Sequence, residues 1–389
     1  MLGGLIMESI YLDEAATTKP KEEVIQAMLP YLYEKWYNPS SLYSPSKSVK
    51  MDIEDARKNV AETINAKTSE IYFTSGGSES NNWAIQGFHN MYPEASIITT
   101  TIEHKSIMEC VNDMPDVHFV GVNTDGTIKL KQLEKLLQYV KTRPILVSIQ
   151  YANNEIGTIQ NIKAAAKLVH KYQGILHTDA VQAYGHIPID VTQGIDLLSA
   201  SGHKIGCPKG IGFLYKRNGI MIKPLIYGSQ EQGMRGGTEN VPYIIGLGKA
   251  VELIKKNGMI DIQEYSSLCK KRNYFMNQLK EKIGCKINGS IMNRLPNNIN
   301  ITLSQSITGE ALIYMLDTFH IYISAGSACN SHSMQPSYVL QAIGLSDDEI
   351  YRTIRITLPK DIDEVKTDKA ISEILRQIQA IESIMKCRL

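Results

Sequence analysis

The chain of 389 residues lacks a charge of one sign: 41 Lys plus Arg face 40 Asp plus Glu, leaving a net charge of +1. Such a balance gives no reason to expect nucleic acid or an anionic membrane as a partner. Long apolar runs are also missing; none approaches the ~20 residues that a membrane helix needs. Cysteine is sparse, at Cys110, Cys207, Cys269, Cys285, Cys329 and Cys387. No two of these stand as a Cys-x-x-Cys pair, so neither a zinc ribbon nor a thioredoxin-type site is expected. Met1 to Ile6 is apolar but short and has no charged leader, so no signal peptide is expected, and Met7 is a candidate native start. Repeats and low-complexity linkers are absent. What remains is an ordinary globular mixture, 43% hydrophobic and 21% charged. It excludes a disordered chain, a fibre and a small disulfide-stapled scaffold. The length allows about two or three domains, and the expected setting is the cytoplasm, with reduced thiols.

Short apolar runs alternate with amphipathic stretches. Ile71 to Phe73, Ala95 to Ile98, Ile145 to Ile149 and Asp196 to Leu198 read as strands. Val49, Ile53, Ala56, Val60 and Ile64 recur at helical spacing. This alternation predicts an α/β domain with a mostly parallel sheet. The character changes near Asn257-Gly258. Beyond it come a charged helical stretch, strands around Asn298 to Leu303, and a last helix with Ile371, Ile374, Leu375, Ile378, Ile381 and Met385 on one face. The expected division is a large α/β domain over residues 18–258 and a smaller α+β domain from residues 1–17 and 259–389.

Three motifs follow strand-like runs. Thr74-Ser75-Gly76-Gly77-Ser78-Glu79-Ser80 opens a helix over residues 79–89. Glycines at such a turn let backbone N–H groups converge on a phosphate; a plain turn capped by Ser78 fits the same residues. The run is neither GxGxxG nor a P-loop. Asp179 ends the run Ile175 to Asp179, at the sheet edge where α/β ligands bind. It suits a cationic ring nitrogen, or a turn. Lys204 sits in Ser201-Gly202-His203-Lys204, again after an apolar strand. It suits Schiff-base chemistry by a lysine of lowered pKa, or a solvated surface charge. Together the three supply what pyridoxal phosphate requires: donors for the phosphate, a carboxylate for the ring nitrogen and an amine for the aldehyde.

The sequence resembles the cysteine desulfurases of the NifS/IscS type, within the class V aminotransferase group of fold-type I enzymes. The resemblance runs along nearly the whole chain. It includes Tyr11-Leu12-Asp13-Glu14-Ala15-Ala16-Thr17-Thr18, Thr101-Ile102-Glu103-His104-Lys105 and Asn153-Asn154-Glu155-Ile156-Gly157. It continues with Ser201-Gly202-His203-Lys204, Arg235-Gly236-Gly237-Thr238, Ser327-Ala328-Cys329 and Ile354-Arg355. The resemblance implies a fold-type I PLP-dependent transferase, with a mostly parallel seven-stranded sheet between helices and a smaller α+β domain carrying the cysteine loop.

It also implies roles. Lys204 would bond the cofactor aldehyde, Asp179 the pyridinium nitrogen and Gln182 the ring hydroxyl. His104 would stack on the ring and help proton transfer. Gly77, Ser78, Ser201 and His203 would hold the phosphate, with Thr238 reaching across from a neighbouring subunit of a homodimer. Asn153 and Arg355 would bind cofactor and substrate, Arg355 by a bidentate grip on the carboxylate, with Asn38 near the substrate. The implied reaction takes sulfur from L-cysteine onto the Cys329 thiolate and releases L-alanine; no metal takes part. The sulfur would pass to an acceptor protein, an iron–sulfur scaffold or a thiolation enzyme. Small polar residues around Cys329 predict a mobile exposed loop. Cys207, three residues after Lys204, is a second thiol near the cofactor or an inert packing residue. The enzymatic alternative is a selenocysteine lyase or another class V aminotransferase activity, and the latter would not need Cys329.

Overall fold

Strands buried on both faces read as continuous apolar runs, and here those runs become the centre of one sheet. The computed structural model describes residues 9–256, 262–304, 307–326, 328–330 and 333–386. After β1 (Ile10–Tyr11), seven strands form the main sheet: β2 (Ile71–Thr74), β3 (Ser96–Thr100), β4 (Val117–Val120), β5 (Ile145–Ser148), β6 (Ile175–Asp179), β7 (Leu197–Ser201) and β8 (Gly212–Lys216). Their spatial order is β2-β8-β7-β6-β5-β3-β4. Only β8 runs against its neighbours, so β2 to β7 all present their carboxyl ends on one edge.

Helices cover both faces. In helix Ser44–Thr63, Pro45 fits the first turn, where its missing N–H costs nothing, and Val49, Ile53, Ala56 and Val60 are buried. That face packs on helix Val241–Lys256, where a side chain at Gly248 would meet Ala56 Cα at 2.9 Å. Helix Gly77–Met91 covers the opposite face through Trp83, Ala84 and Phe88. It begins two residues before the expected start, and Gly76 stands at its N-cap. Ser78 is therefore inside the first turn and is not the cap.

The remaining strands are β9 (Lys286–Ile287), β10 (Asn298–Thr302), β11 (Ile321–Tyr322), β12 (Ser324–Ala325), β13 (Ala328–Asn330), β14 (Ser333–Gln335) and β15 (Thr353–Thr357), and a second core lies around β10, β11 and β15. Strands β12-β15-β10-β9 form an antiparallel sheet. Helices Ile262–Ile283 and Glu364–Lys386 pack on it, with Phe275, Leu279, Ile371, Ile374 and Ile378 buried. Ile10 and Leu12 join this core because β1 pairs with β11. Burying each such side chain stabilises the fold by roughly 1.5–3 kcal/mol. Where a loop was expected around Cys329, β13 and β14 pair as a small antiparallel ribbon, with Cys329 opposite Met334. Ser327, Ser331 and His332 lie outside the described residues.

Candidate active site

The carboxyl edge of the main sheet opens into a cavity of about 420 Å³, within the range of small-molecule sites. Five strand ends supply its walls. β2 leads to Gly77 and Ser78, β3 to His104, and β5 to Gln150; β6 ends on Asp179 and β7 on Ser201. A 3₁₀ turn, Gly202–Lys204, follows β7 and turns His203 and Lys204 inward. Gln182 and Arg355 complete the expected residues found there.

Each side chain is held by identifiable partners. Lys204, 9% exposed, donates from Nζ to the carbonyls of Ala15 (2.5 Å) and Ala16 (2.8 Å). Burial, helped by the Arg355 charge, lowers its pKa to about 8, against the pull of Asp13 and Asp179. The amine is thus partly neutral near neutral pH, as a nucleophile needs. Asp179 accepts from Val181 N at 2.9 Å and from Asn81 Nδ2 at 2.7 Å. Burial lowers His203 to about 4, with Lys204 and Lys209 adding to the effect, so this ring is neutral. At Gly77 a Cβ would meet Val181 Cγ2 at 2.5 Å, so only glycine lets the turn lie this close to the loop after Asp179. Gln182 Nε2 donates to Ala15 O at 3.0 Å.

Arg355 arrives from the second core. Its Nη2 donates to Asp13 Oδ1 (2.7 Å) and Ser324 Oγ (3.0 Å), and its Nη1 to Asn154 O (3.2 Å). Its buried Nε has no partner among the described residues.

Other expected residues lie elsewhere. Asn153 is fully buried and serves its own turn: Oδ1 accepts from Glu155 N (2.8 Å) and Ile156 N (2.9 Å), and Nδ2 donates to Ile102 O (3.1 Å). Its neighbour Asn154 lines the cavity instead. Asn38 is exposed and accepts from Ser40 N at 2.9 Å. Thr238 is exposed on the loop after Arg235, which pairs with Glu79 at 2.9 Å. Neither residue lines the cavity. Cys207 is buried against Gly202, and burial pushes its thiol up to about 12, a packing residue rather than a nucleophile. The backbone of Cys329 sits in β13, five positions after Ser324, which pairs with Arg355.

Sequence reasoning missed Asn81, Ser106 and Asn154. The only available signal was position: Asn81 lies one helical turn after Gly77 and so shares its face. The buried Glu103, raised to about 8 mainly by burial, was also passed over.

The aminotransferase class-V family matches residues 10–363. The chain belongs to this family. Among its relatives, the "Cysteine desulfurase IscS" of Methanosarcina thermophila is 42% identical over 386 residues, covering 96% of this chain and 93% of that protein. Among solved structures, a NifS-like protein from Rickettsia africae ESF-5 is 32% identical with a TM-score of 0.88, covering 96% of this chain and 100% of that one. A structure of SspA in complex with cysteine is 35% identical with a TM-score of 0.78, covering 90% and 99%. The family likeness and the seven-stranded sheet make this a fold-type I architecture.

Proposed function

We propose that the protein is a pyridoxal phosphate-dependent cysteine desulfurase. It moves the sulfur of L-cysteine onto Cys329 and releases L-alanine. The observation that carries the reading is the buried Lys204, with its amine poised near pH 8, facing the same cavity as Asp179.

The residues fit the cofactor. Gly77 and Ser78 open helix Gly77–Met91 onto the cavity, and the first N–H groups of a helix attract a phosphate. Asp179 keeps a carboxylate for a ring nitrogen, and Lys204 an amine for an aldehyde. When bound, the cofactor supplies an electron sink that weakens the substrate's bonds at and beyond its α-carbon. The chain does the rest. Arg355 grips the substrate carboxylate in exchange for Asp13. Lys204 Nζ takes and returns a proton at the substrate α-carbon, and His104 assists. The substrate Cβ–S bond breaks while an S–S bond forms on Cys329. A thiol and a thiol become a methyl group and a persulfide, so no outside oxidant is required. Five residues of chain span at most about 18 Å, so Cys329 is tethered within reach of the Arg355 grip.

The same reading extends to the assembly and setting. The protein acts as a cytoplasmic homodimer in which Thr238 serves the neighbouring cavity, with Asn38 near the substrate; the exposure of Thr238 away from its own cavity supports this. The second core, built from Ile10, Leu12 and residues 268–378, supports a division into residues 18–258 and residues 1–17 with 259–389, while Leu295 and Val339 to Ile350 pack across that division into the first core. The persulfide passes to an acceptor protein of iron–sulfur assembly or of a thiolation pathway.

The test is a single turnover of the cofactor-loaded protein with L-cysteine. One equivalent of alanine and a reductant-labile sulfur on Cys329 are expected. Cys329→Ser should keep the cofactor's colour and form no persulfide, because a hydroxyl is a far weaker nucleophile than a thiolate. Wild-type alanine release by Cys329→Ser would overturn the assignment of Cys329.

A further inference from the structure

We infer that Asn81 and Ser106 are positioning residues that join Asp179 to His104 in one chain of hydrogen bonds, which fixes the ring proton of His104 on Nε2. The inference rests on the reading above that His104 and Asp179 serve one reaction centre.

The chain can be followed proton by proton. Asn81 is 1% exposed. Its Nδ2 lies 2.7 Å from Asp179 Oδ2 and 2.9 Å from Ser106 Oγ. Turning the amide over would set its oxygen against the carboxylate, acceptor facing acceptor, so Asp179 dictates the orientation. Both N–H bonds of the amide are then used, one toward each neighbour. The amide oxygen bears the cost of this arrangement: it is buried and has no partner among the described residues.

Ser106 Oγ accepts from Asn81, so its own proton is free to point elsewhere. It stands 2.8 Å from His104 Nδ1. The backbone N–H of Ser106 donates to the same nitrogen at 3.1 Å. A ring nitrogen that accepts from a backbone N–H presents its lone pair on that side, not a proton. The Ser106 hydroxyl therefore donates to Nδ1 as well. In the neutral ring the proton is left on Nε2. Capping the helix Lys105–Val111 needs only the backbone bond to His104. The continuation through Ser106 and Asn81 to Asp179 serves another purpose: it ties the orientation of the ring to the carboxylate that holds the cofactor. His104, which lines the cavity, accordingly carries its proton at Nε2, while the lone pair of Nδ1 is taken up by Ser106.

The test uses nitrogen NMR of histidine-labelled protein, as purified and after cofactor loading. The His104 signals are assigned by their loss in His104→Gln. A protonated Nε2 and an accepting Nδ1 are expected in the wild type; protonation at Nδ1 overturns the inference without any variant being made. Asn81→Ala touches no atom of His104, yet it should shift the His104 Nδ1 signal through Ser106; an unmoved signal counts against the chain. In alanine release, Ser106→Ala and Asn81→Ala should each lower kcat about fivefold, the worth of one neutral hydrogen bond. The double variant should lose little more, because the second change cuts a chain already broken. Multiplication to about 25-fold would mean two independent effects. Ser106→Thr, which keeps the hydroxyl, should restore both the signal and the rate. A wild-type protein that released no alanine would strike the proposed function and leave the tautomer measurement standing.

Discussion

Lys204 is a cation that its surroundings make reluctant. Its ordinary pKa of 10.5 is brought down to about 8, chiefly by burial. The neutral amine is the reactive form, and its share grows as pH rises through the lowered value. The rate at which the cofactor-free protein captures pyridoxal phosphate should therefore climb through about pH 8 and level off above it, followed by absorbance; a midpoint near 10.5 would contradict the burial argument. Lys204→Ala should show no lysine-linked absorbance at any pH. Cys207 is the contrasting case. With its thiol raised to about 12, it should react slowly with maleimide in the folded protein, and Cys207→Ala should release alanine at the wild-type rate. Lys204 and Asp179 were legible because a charged residue directly after an apolar strand must lie at the sheet edge. Asn153 and Asn154 were not separable. Two identical side chains stand side by side, and only the turn, with Gly157 at φ 70°, decides which one it consumes.

The helices and central strands were legible from periodicity, as helix Ser44–Thr63 shows. What binds elements across long sequence gaps was not, because such pairs leave no local trace. Arg57 on that helix meets Glu231 through two hydrogen bonds of 2.6 and 2.8 Å, both side chains buried. The guanidinium also lies 4.6 Å from the centre of the Phe73 ring, and Phe73 N donates to Glu231 at 3.0 Å. Glu231 and Gln232 adopt φ of 48° and 60°, a region non-glycine residues enter reluctantly. The pair thus holds a strained turn against β2, just ahead of the loop carrying Arg235 and Thr238. Glu231→Ala would leave the buried Arg57 with only the half-exposed Glu54, 3.3 Å away, as counter-charge, and a loss of about 3 kcal/mol is expected. Urea denaturation measures it; a loss within experimental error would show that the turn is held by something else.

At the scale of the whole molecule, a large apolar surface is left facing solvent. Tyr33, Trp36 and Leu42 are 63%, 68% and 88% exposed, in the stretch that also carries Asn38. Exposed apolar area of this kind marks an interaction surface. Sedimentation should show a dimer at working concentration, and Trp36→Glu with Leu42→Glu should shift it toward monomer with loss of alanine release. A fully active monomer would refute the composite site. The α/β architecture was legible from the alternation of runs; residues 1–17 were expected with the smaller domain, but the pairing of β1 with β11 by which residues 10–13 return to the second core was not legible, since β1 is only two residues long.

That return has a consequence for how the protein is made. Asp13 leaves the ribosome 342 positions ahead of its partner Arg355. At ~5–20 residues per second, the interval is roughly 20–70 seconds. Until β11 and then β15 have emerged, the segment whose carbonyls, at Ala15 and Ala16, restrain Lys204 lacks the strands it pairs with. Lys204 therefore emerges well before the strands that seat those carbonyls, and residues 10–16 find their place only once β11 and β15 exist.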